Sequence, residues 1–325
     1  MTLSVAGALG VFVASNRLVP SPWNDQQRAA LRSLWIGELP PVPEDPSNRF
    51  ADDPRAARLG ARLFRDPRLS GNGALACASC HKPELAFSDG LVVAHGIEDG
   101  TRNTPSIVPA AYSPTYFWDG RRDSQWAQAL SPLENARELG STRTAVFAVV
   151  QQHYRTEFEE IFGPLTPVSA ERLARPGSPL GDEAARAAWR ALSAEEQKAV
   201  NRAFANVGKA LAAYQRTLAF EPSRFDRYVS HVLRGNHLIA NVLLNAEERA
   251  GLELFIGKAN CTLCHRGPLF TGHEFFALGL PFGSSGPDPG RGAAAQLLLQ
   301  DPFNCIGDYS DAKRETCWEL RFLSE

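Results

Sequence analysis

The chain has 325 residues, which is enough for two domains with hydrophobic cores, and 44% of the residues are hydrophobic, as is usual for a soluble protein. The formal net charge of −2 at pH 7 gives no reason to expect nucleic acid or an anionic membrane as a partner.

Residues 1–50 are predicted to precede the folded domains. The apolar stretch 3–14 is too short to span a bilayer and resembles a signal-peptide core followed by small residues, although a basic segment before it is missing. We expect a cleaved signal and export to the periplasm, with a membrane anchor as the alternative, and no stable membrane span. Residues 16–50 are rich in proline and predict a linker or a surface arm.

The first helical domain is predicted over 51–175. Asp53-Pro54 is typical of a helix start, and a turn-rich segment then leads to Cys77-Ala78-Ser79-Cys80-His81. Two cysteines on one helical turn can form thioether bonds to the vinyl groups of a haem, and the next histidine can then bind the iron. The motif therefore predicts a c-type haem site at Cys77, Cys80 and His81.

Between the two motifs, glycine and proline predict loops over 82–123, and helices are predicted again over 124–162. The segment 175–181 is the best candidate for an interdomain break. A capping box at Ser193 and Glu196 begins a helix with an apolar stripe, which consists of Val200, Phe204, Val207, Leu211, Tyr214 and Leu218.

A second domain is predicted over 176–325. Asn245 and Glu248 cap another helix, which leads to Cys261-Thr262-Leu263-Cys264-His265. Each half thus has a capped helix running into the same motif, which predicts a mainly α fold of two cytochrome c-like domains, each with one covalently bound c-type haem. Structural zinc is the weaker alternative because the triads lie 184 residues apart, and a thioredoxin-type dithiol would need a βαβ pattern that is missing.

The two remaining cysteines, Cys305 and Cys317, are spaced for a short disulfide loop, with two free thiols as the alternative. A disulfide requires an oxidising compartment, and covalent haem attachment points to the same location.

Beyond the motifs, the chain resembles the bacterial dihaem cytochrome c peroxidase and MauG family from about residue 50 onward. The segments that carry the resemblance are 69–73 (LSGNG), 87–90 (FSDG), 102–106 (RNTPS), 117–121 (FWDGR), 201–206 (NRAFAN) and 223–228 (SRFDRY). The resemblance implies two helical cytochrome c domains with a calcium ion near their interface. His81 would bind the iron of the haem that reacts with peroxide, and His265 that of the electron-relay haem.

The resemblance also implies roles for residues around the first haem. Glu138 matches the family's distal carboxylate, with a pKa raised in an apolar pocket, and Gln128 matches its distal amide. Trp118 matches the tryptophan between the haems; without the resemblance we would expect a core aromatic there. His95 lies where family peroxidases keep a removable sixth ligand, and MauG-like members leave the site open.

The chain departs from the family pattern near its C-terminus. Met1 is the only methionine, so we expect no thioether ligand for the second haem and a C-terminally truncated protein, with Tyr309 as a substitute ligand. Asn103 is the one calcium ligand that carries over. The segments 303–311 and 317–322 look more like the MauG-like branch that includes the methanobactin-linked enzyme MbnH.

Two functions are compatible with these residues. The first is a dihaem c-type oxidoreductase that uses hydrogen peroxide and takes electrons from a partner protein or a small redox protein. The absence of methionine favours the MauG-like form, because methionine ligation raises the potential of a haem. The alternative is a dihaem electron carrier without catalysis, in which both irons are permanently six-coordinate.

Overall fold

The computed structural model describes residues 20–279, 290–317 and 320. The predicted signal-like stretch at 3–14 lies outside the described residues, as does most of the segment 318–322. The described secondary structure is helical, apart from isolated bridges such as Lys82 with Ser88. The mainly α fold predicted from the sequence is therefore confirmed. None of the helices in the described ranges is both long and apolar enough to cross a bilayer.

The α-helices that the structure describes are numbered in chain order: α1 Asp25–Leu34, α2 Pro54–Leu63, α3 Cys77–Cys80, α4 Gln125–Glu134, α5 Arg143–His153, α6 Arg155–Phe162, α7 Ala170–Leu173, α8 Glu183–Arg190, α9 Ala194–Gln215, α10 Arg224–Leu233, α11 His237–Leu243, α12 Ala246–Ile256 and α13 Gly290–Gln300. The 3₁₀ helices are Ile36–Glu38, Pro67–Leu69, Pro83–Leu85, Val108–Tyr112, Cys261–Leu263 and Arg314–Thr316.

The chain divides into two compact units. The larger unit comprises Val42–Ala219 and Gly279–Glu325, and it holds the first CxxCH motif. The smaller unit comprises Met1–Pro41 and Phe220–Leu278, and it holds the second motif. These bounds differ from the predicted domains 51–175 and 176–325.

The difference arises because the second half of the chain contributes to the core around the first motif. Trp189 of α8, Phe204 of α9 and Phe303 after α13 belong to one buried cluster with Phe64 and Trp126. Burying these large side chains together provides much of the favourable free energy of folding. A helix that follows residue 176 therefore completes the core of the larger unit.

The predicted break at 175–181 lies within that unit, and Gly177 and Ser178 at its centre are buried. The N–H of Gly177 donates to Thr144 Oγ1 at 2.6 Å, and the N–H of Thr144 donates to the carbonyl of Gly177 at 3.2 Å. Proline and glycine here shape a turn that packs on α5. The prediction of an interdomain linker at this position is wrong.

The predicted helix starts are confirmed by their caps. Asp53, Ser193 and Asn245 each accept a hydrogen bond from the first turn of α2, α9 and α12, respectively. The predicted stripe of α9 is buried from Val200 to Tyr214, and the helix ends at Gln215, before Leu218.

The predicted irregular arm at 16–50 contains a helix, so this prediction is wrong in part. Asn24 and Gln27 form a capping box at the start of α1, and Leu31 and Leu34 are buried. In the core of the smaller unit, Trp23 Nε1 donates to the hydroxyl oxygen of Tyr228 at 2.6 Å. Sequence reasoning missed this helix because the four prolines between 39 and 46 dominate the composition of the segment.

Cys305 and Cys317 form a disulfide in the larger unit, with a Cα–Cα distance of 5.8 Å, which is the pairing predicted from the sequence. The loop that it closes spans a sequence separation of 12. Replacing both cysteines by serine is expected to lower the free energy of unfolding by about 3 kcal/mol, because the unfolded chain regains the entropy of the open loop. Thermal melting followed by circular dichroism measures the change. Equal melting temperatures for the double variant and the oxidised protein would contradict the prediction.

Candidate functional site

The first CxxCH motif occupies one helical turn. Cys77 and Cys80 begin and end α3, and the N–H of His81 donates to the carbonyl of Cys77 at 2.9 Å. Neither thiol is in a disulfide. The Nδ1 atom of His81 lies 2.9 Å from the carbonyl oxygen of Phe87. A histidine held through Nδ1 by a main-chain carbonyl has its Nε2 available for a metal.

The second motif repeats this geometry in the smaller unit. The N–H of His265 donates to the carbonyl of Cys261 at 2.9 Å, and Nδ1 of His265 lies 3.1 Å from the carbonyl oxygen of Phe270. Cys261 and Cys264 are also free thiols. The same contacts thus recur in two segments that share little sequence beyond the motif itself.

Two further features are common to both sites. The ring of Phe64 lies 6.3 Å from that of His81, and the ring of Phe255 lies 6.3 Å from that of His265. The residues that hold the imidazoles, Phe87 and Phe270, both have left-handed backbones, with φ of 59° and 54°. Two thiols on one turn followed by an oriented imidazole form a donor set that fits a covalently bound haem at each site.

The protonation of the first site suits metal binding. Burial lowers the pKa of the His81 imidazole, so the neutral ring that a metal requires is favoured. The pKa of the Cys77 thiol is raised to about 12, chiefly by burial, with smaller contributions from the charges of Cys80 and Glu138. The pKa of Cys80 is also raised, first by burial and then by the charges of Asp89 and Glu138. The carboxylate of Glu138 therefore acts electrostatically on both thiols of the first motif.

Glu138 lies in the turn that follows α4. Its N–H donates to the carbonyl of Asn135 at 3.0 Å, and Asn135 Nδ2 donates to Glu138 Oε1 at 2.6 Å. Burial raises the pKa of Glu138, whereas the hydrogen bond from Asn135 and the charge of Arg121 lower it. The net shift is upward, in the direction predicted from the sequence. An upward shift brings the pKa of the carboxyl group closer to neutral pH, which favours its use as an acceptor and donor of protons.

The loop that carries His95 is hydrogen-bonded to this turn. The N–H groups of Ile97 and Glu98 donate to the carbonyls of Glu138 and Arg137 at 3.0 Å. A Cβ on Gly96 would lie 2.5 Å from the Arg137 carbonyl oxygen and 2.7 Å from Glu138 Cα, so this close approach requires glycine.

His95 itself is oriented away from the protein interior. Its Nδ1 lies 2.7 Å from Asp99 Oδ1, and its side chain is 66% exposed. Its carbonyl oxygen lies 3.6 Å from Cys80 Sγ, so the His95 main chain adjoins the first motif. The structure therefore brings together the His95 loop, the Glu138 turn and Cys80, while ligation of iron by His95 stays a prediction.

The positions of the other predicted site residues give less information about their roles. Gln128 is half-buried on α4, and Asn103 is exposed in a loop. Trp118 is 66% exposed, which excludes the core position expected without the resemblance. Tyr309 is buried in the larger unit, where its ring lies 5.3 Å from that of Phe303. No cluster of three or more acidic, histidine or cysteine side chains that could hold a metal ion occurs among the described residues, and the calcium site stays a prediction.

Sequence reasoning missed the residues that orient the site. The carbonyls of Phe87 and Phe270 could not be recognised, because a left-handed backbone is rare for phenylalanine and has no sequence signal. Asn135 could have been found from its position three residues before Glu138, which is typical of a side chain that closes a turn.

The comparisons with known proteins agree with this geometry. The family described as di-haem cytochrome c peroxidase matches residues 54–233. The methylamine utilization protein MauG of Methylorubrum extorquens is 30% identical over 293 residues, which cover 89% of this chain and 70% of that protein. The cytochrome-c peroxidase IdrP1 of Denitromonas iodatirespirans is 34% identical over 253 residues, which cover 76% of this chain and 55% of that protein.

A solved structure has the same fold. The diheme peroxidase BthA of Burkholderia thailandensis superposes with a TM-score of 0.59 at 25% identity, and the match covers 80% of this chain and 65% of BthA. The chain thus spans about half to two thirds of the length of several of these proteins.

Proposed function

Because the chain belongs to the di-haem cytochrome c peroxidase family, we propose that it is a dihaem oxidoreductase that reduces hydrogen peroxide with electrons from a partner protein or a small redox protein. The observation that carries this proposal is the hydrogen-bonded pairing of the Glu138 turn with the His95 loop beside the first CxxCH motif. An electron carrier needs no proton-accepting carboxylate at that position, so the pairing favours an enzyme over the alternative of a carrier without catalysis.

Cys77, Cys80 and His81 would hold the peroxide-reactive haem, and Cys261, Cys264 and His265 the electron-relay haem. When bound, the haems supply iron centres that pass electrons to peroxide. The carbonyls of Phe87 and Phe270 fix the orientation of each imidazole through Nδ1, so its Nε2 would be available to bind the iron of a haem.

The chain's own contribution to the reaction is proton transfer. Each hydrogen peroxide takes up two electrons and two protons and yields two water molecules. Glu138 would accept the proton of the near oxygen and return it to the leaving oxygen, which departs as water. Gln128 would orient the peroxide through its amide. Asn135 Nδ2 donates to Glu138 Oε1, so the other carboxyl oxygen would be the one that exchanges a proton with the peroxide.

The source of the electrons divides the family into two kinds of enzyme. A MauG-like enzyme oxidises a side chain of a bound protein, whereas a peroxidase draws electrons from a small cytochrome or cupredoxin. Similarity to MauG over 89% of the chain supports the first kind, which the sequence also favoured. In either case Trp118 would carry electrons between the haems, and its exposure leaves the indole accessible to such a role.

We also propose export to the periplasm. The disulfide between Cys305 and Cys317 supports an oxidising compartment, as does the requirement for covalent haem attachment. A calcium ion bound with the help of Asn103 is part of the same proposal.

Haem content and peroxide reactivity test the proposed function together. The protein, produced in a host that attaches c-type haem, should contain two covalent haems by the pyridine haemochrome assay. Its ferric spectrum should include a high-spin band, and peroxide should change that spectrum. His81→Gly should abolish the response, whereas His265→Gly should keep the initial response of the first haem. Two low-spin haems and no spectral change with peroxide would support the electron carrier instead.

The rate of the peroxide reaction should depend on pH through the pKa of the Glu138 carboxyl group. The carboxylate must be ionised to accept a proton, so the rate falls as pH decreases through its raised pKa. Asn135→Asp removes the donor that lowers this pKa and adds a negative charge, and both changes raise the pKa of Glu138. The acidic limb of the plot of rate against pH should therefore move to higher pH by about one unit. The side-chain oxygen that accepts from Arg137 N–H is preserved in this variant. Stopped-flow rates between about pH 4 and 9 measure the shift, and an unmoved or lowered limb would count against Glu138 as the proton acceptor.

A further inference from the structure

A buried carboxylate, that of Asp89, lies beside the first CxxCH motif. Asp89 is 7% exposed and directly follows Ser88, whose carbonyl accepts a hydrogen bond from the N–H of Lys82 at 3.1 Å. Lys82 is the residue next to His81. The Phe87 carbonyl, which holds the His81 imidazole, lies two residues before Asp89. The fold therefore places Asp89 close to the histidine that would bind the first iron.

Two neutral groups hold the Asp89 side chain. The Thr104 hydroxyl donates to its Oδ2 at 2.6 Å, and the N–H of Leu91 donates to its Oδ1 at 3.0 Å. Burial raises the pKa of Asp89, but the hydrogen bonds from Thr104 and Leu91 lower it, and the net shift is downward. The side chain is therefore a carboxylate at neutral pH.

The stability of the loop does not explain the negative charge of Asp89. In the part of the chain that the structure describes, no basic side chain lies within ion-pair distance of this carboxylate, and Lys82 acts on it through its charge alone. A buried charge without an ion pair destabilises a folded protein. An asparagine could accept from the N–H of Leu91 and pair with Thr104 without that loss of stability. The charge itself therefore requires another explanation.

The charge of Asp89 acts on two residues of the first motif. Burial lowers the pKa of the His81 imidazole, whereas the Phe87 carbonyl and the charge of Asp89 raise it. Burial is the largest cause of the raised pKa of Cys80, and the charge of Asp89 is the next largest. A negative charge that favours positive charge on an imidazole also favours positive charge on a metal bound to that imidazole.

The second motif has no such carboxylate. Two residues after Phe270, it has Gly272 in place of Asp89. A Cβ on Gly272 would lie 2.9 Å from Arg266 Cζ, so the glycine leaves room for a guanidinium group. Arg266 forms an ion pair with Glu274, and both side chains are 50% exposed. The second site thus has a neutral, solvent-exposed ion pair where the first has a buried negative charge.

We propose that the fixed charge of Asp89 lowers the reduction potential of the haem bound at the first motif relative to that of the haem bound at the second. The inference rests on the proposed function, since it concerns the same two haems. A buried negative charge stabilises ferric iron, which carries one more positive charge than ferrous iron. At equilibrium, an electron that enters the protein would therefore reside at the second site, and the first iron would stay ferric.

Asp89→Asn removes the charge and keeps a side chain that can pair with Leu91 and Thr104. Spectroelectrochemical titration of the full dihaem protein without peroxide measures both potentials, with the first haem followed at its high-spin band. The equilibrium constant for reduction of the first haem should rise about tenfold, which corresponds to about 59 mV for a one-electron couple. That of the second haem should change by less than about threefold. Asp89→Ser, whose hydroxyl can accept from the N–H of Leu91, is a second neutral variant with the same expected result.

Two control variants separate the charge of Asp89 from the structure of its loop. Glu84→Gln removes a carboxylate three residues after His81, but this side chain is exposed. Because its charge is screened, the equilibrium constant for the first haem should change by less than about threefold. Thr104→Val removes the hydrogen bond to Oδ2 and keeps the charge, so it should also stay within about threefold.

An unmoved potential of the first haem in both neutral variants would overturn the inference. An equal rise in Thr104→Val would also overturn it, because the effect would then come from the loop and not from the charge. Two haems with normal peroxide reactivity and an unmoved potential would refute the role of Asp89 alone. A shifted potential in a protein that does not react with peroxide would instead refute the proposed function and leave the role of Asp89 intact.

Discussion

Replacing Glu138 by glutamine is expected to slow the reaction of the protein with hydrogen peroxide by about 10²- to 10⁴-fold, with both haems still attached. Glutamine keeps the size of the side chain and can accept the hydrogen bond from Asn135, but it cannot take up a proton at neutral pH. The rate of the spectral change after mixing with peroxide measures the effect. The pyridine haemochrome assay checks that the haem content is unchanged.

Glu98→Gln is the matched control for this experiment. Glu98 lies in the loop that pairs with the Glu138 turn, but its side chain is 66% exposed and its nearest charged partner is Arg137 at 3.8 Å. This replacement removes the same charge from the same surface and should leave the rate within about twofold, because the interaction of exposed charges is screened. Equal rates for Glu138→Gln and the wild-type protein would remove Glu138 from the mechanism.

Replacing Gly60 by alanine is expected to lower the free energy of unfolding of the larger unit by about 3 kcal/mol. A Cβ at this position would overlap the main-chain carbonyl oxygen of Ala210 in α9 and lie 2.9 Å from Cβ of Tyr214. Neither neighbour can rotate away, so the two helices must separate. Alanine gains up to about 1 kcal/mol in helix propensity over glycine, which is too little to offset the overlap. Denaturant unfolding followed by circular dichroism measures the difference.

Gly251→Ala provides the comparison. Gly251 lies within α12, and a Cβ there would have no heavy atom within 4 Å. The same substitution should therefore stabilise the protein by up to about 1 kcal/mol through helix propensity. If Gly60→Ala raised the free energy of unfolding as Gly251→Ala should, the close packing of α2 against α9 would be refuted.

The chemistry of the chain was predictable where it depends on side chains in a fixed local spacing. The two CxxCH motifs need only one helical turn each, and caps such as Ser193 with Glu196 are equally local. The raised pKa of Glu138 was predicted because the resemblance placed it in an apolar pocket, and burial raises it in the structure. These features depend on few residues, which explains why sequence reasoning found them.

The domain boundary was not predictable by the same means. Proline and glycine at 176–181 have the composition of a linker, but the turn that they form is held to α5 through Thr144. Only the tertiary packing of Trp189 and Phe204 assigns the following helices to the larger unit. The first helix, α1, was missed for a related reason, since its capping box lies beside a proline-rich segment that dominates the local composition.

The hydrogen bonds at His81 and His265 have a consequence for how the two iron centres can change during evolution. In each case the acceptor is a main-chain carbonyl, so no exchange of the Phe87 or Phe270 side chain deletes it outright. Such an exchange can alter the preference of that residue for a left-handed backbone, and with it the angle of the histidine ring. With haems bound, the electron-donating strength of both imidazoles would therefore be insulated from most replacements of these two side chains, so divergence in redox behaviour would have to arise from other residues.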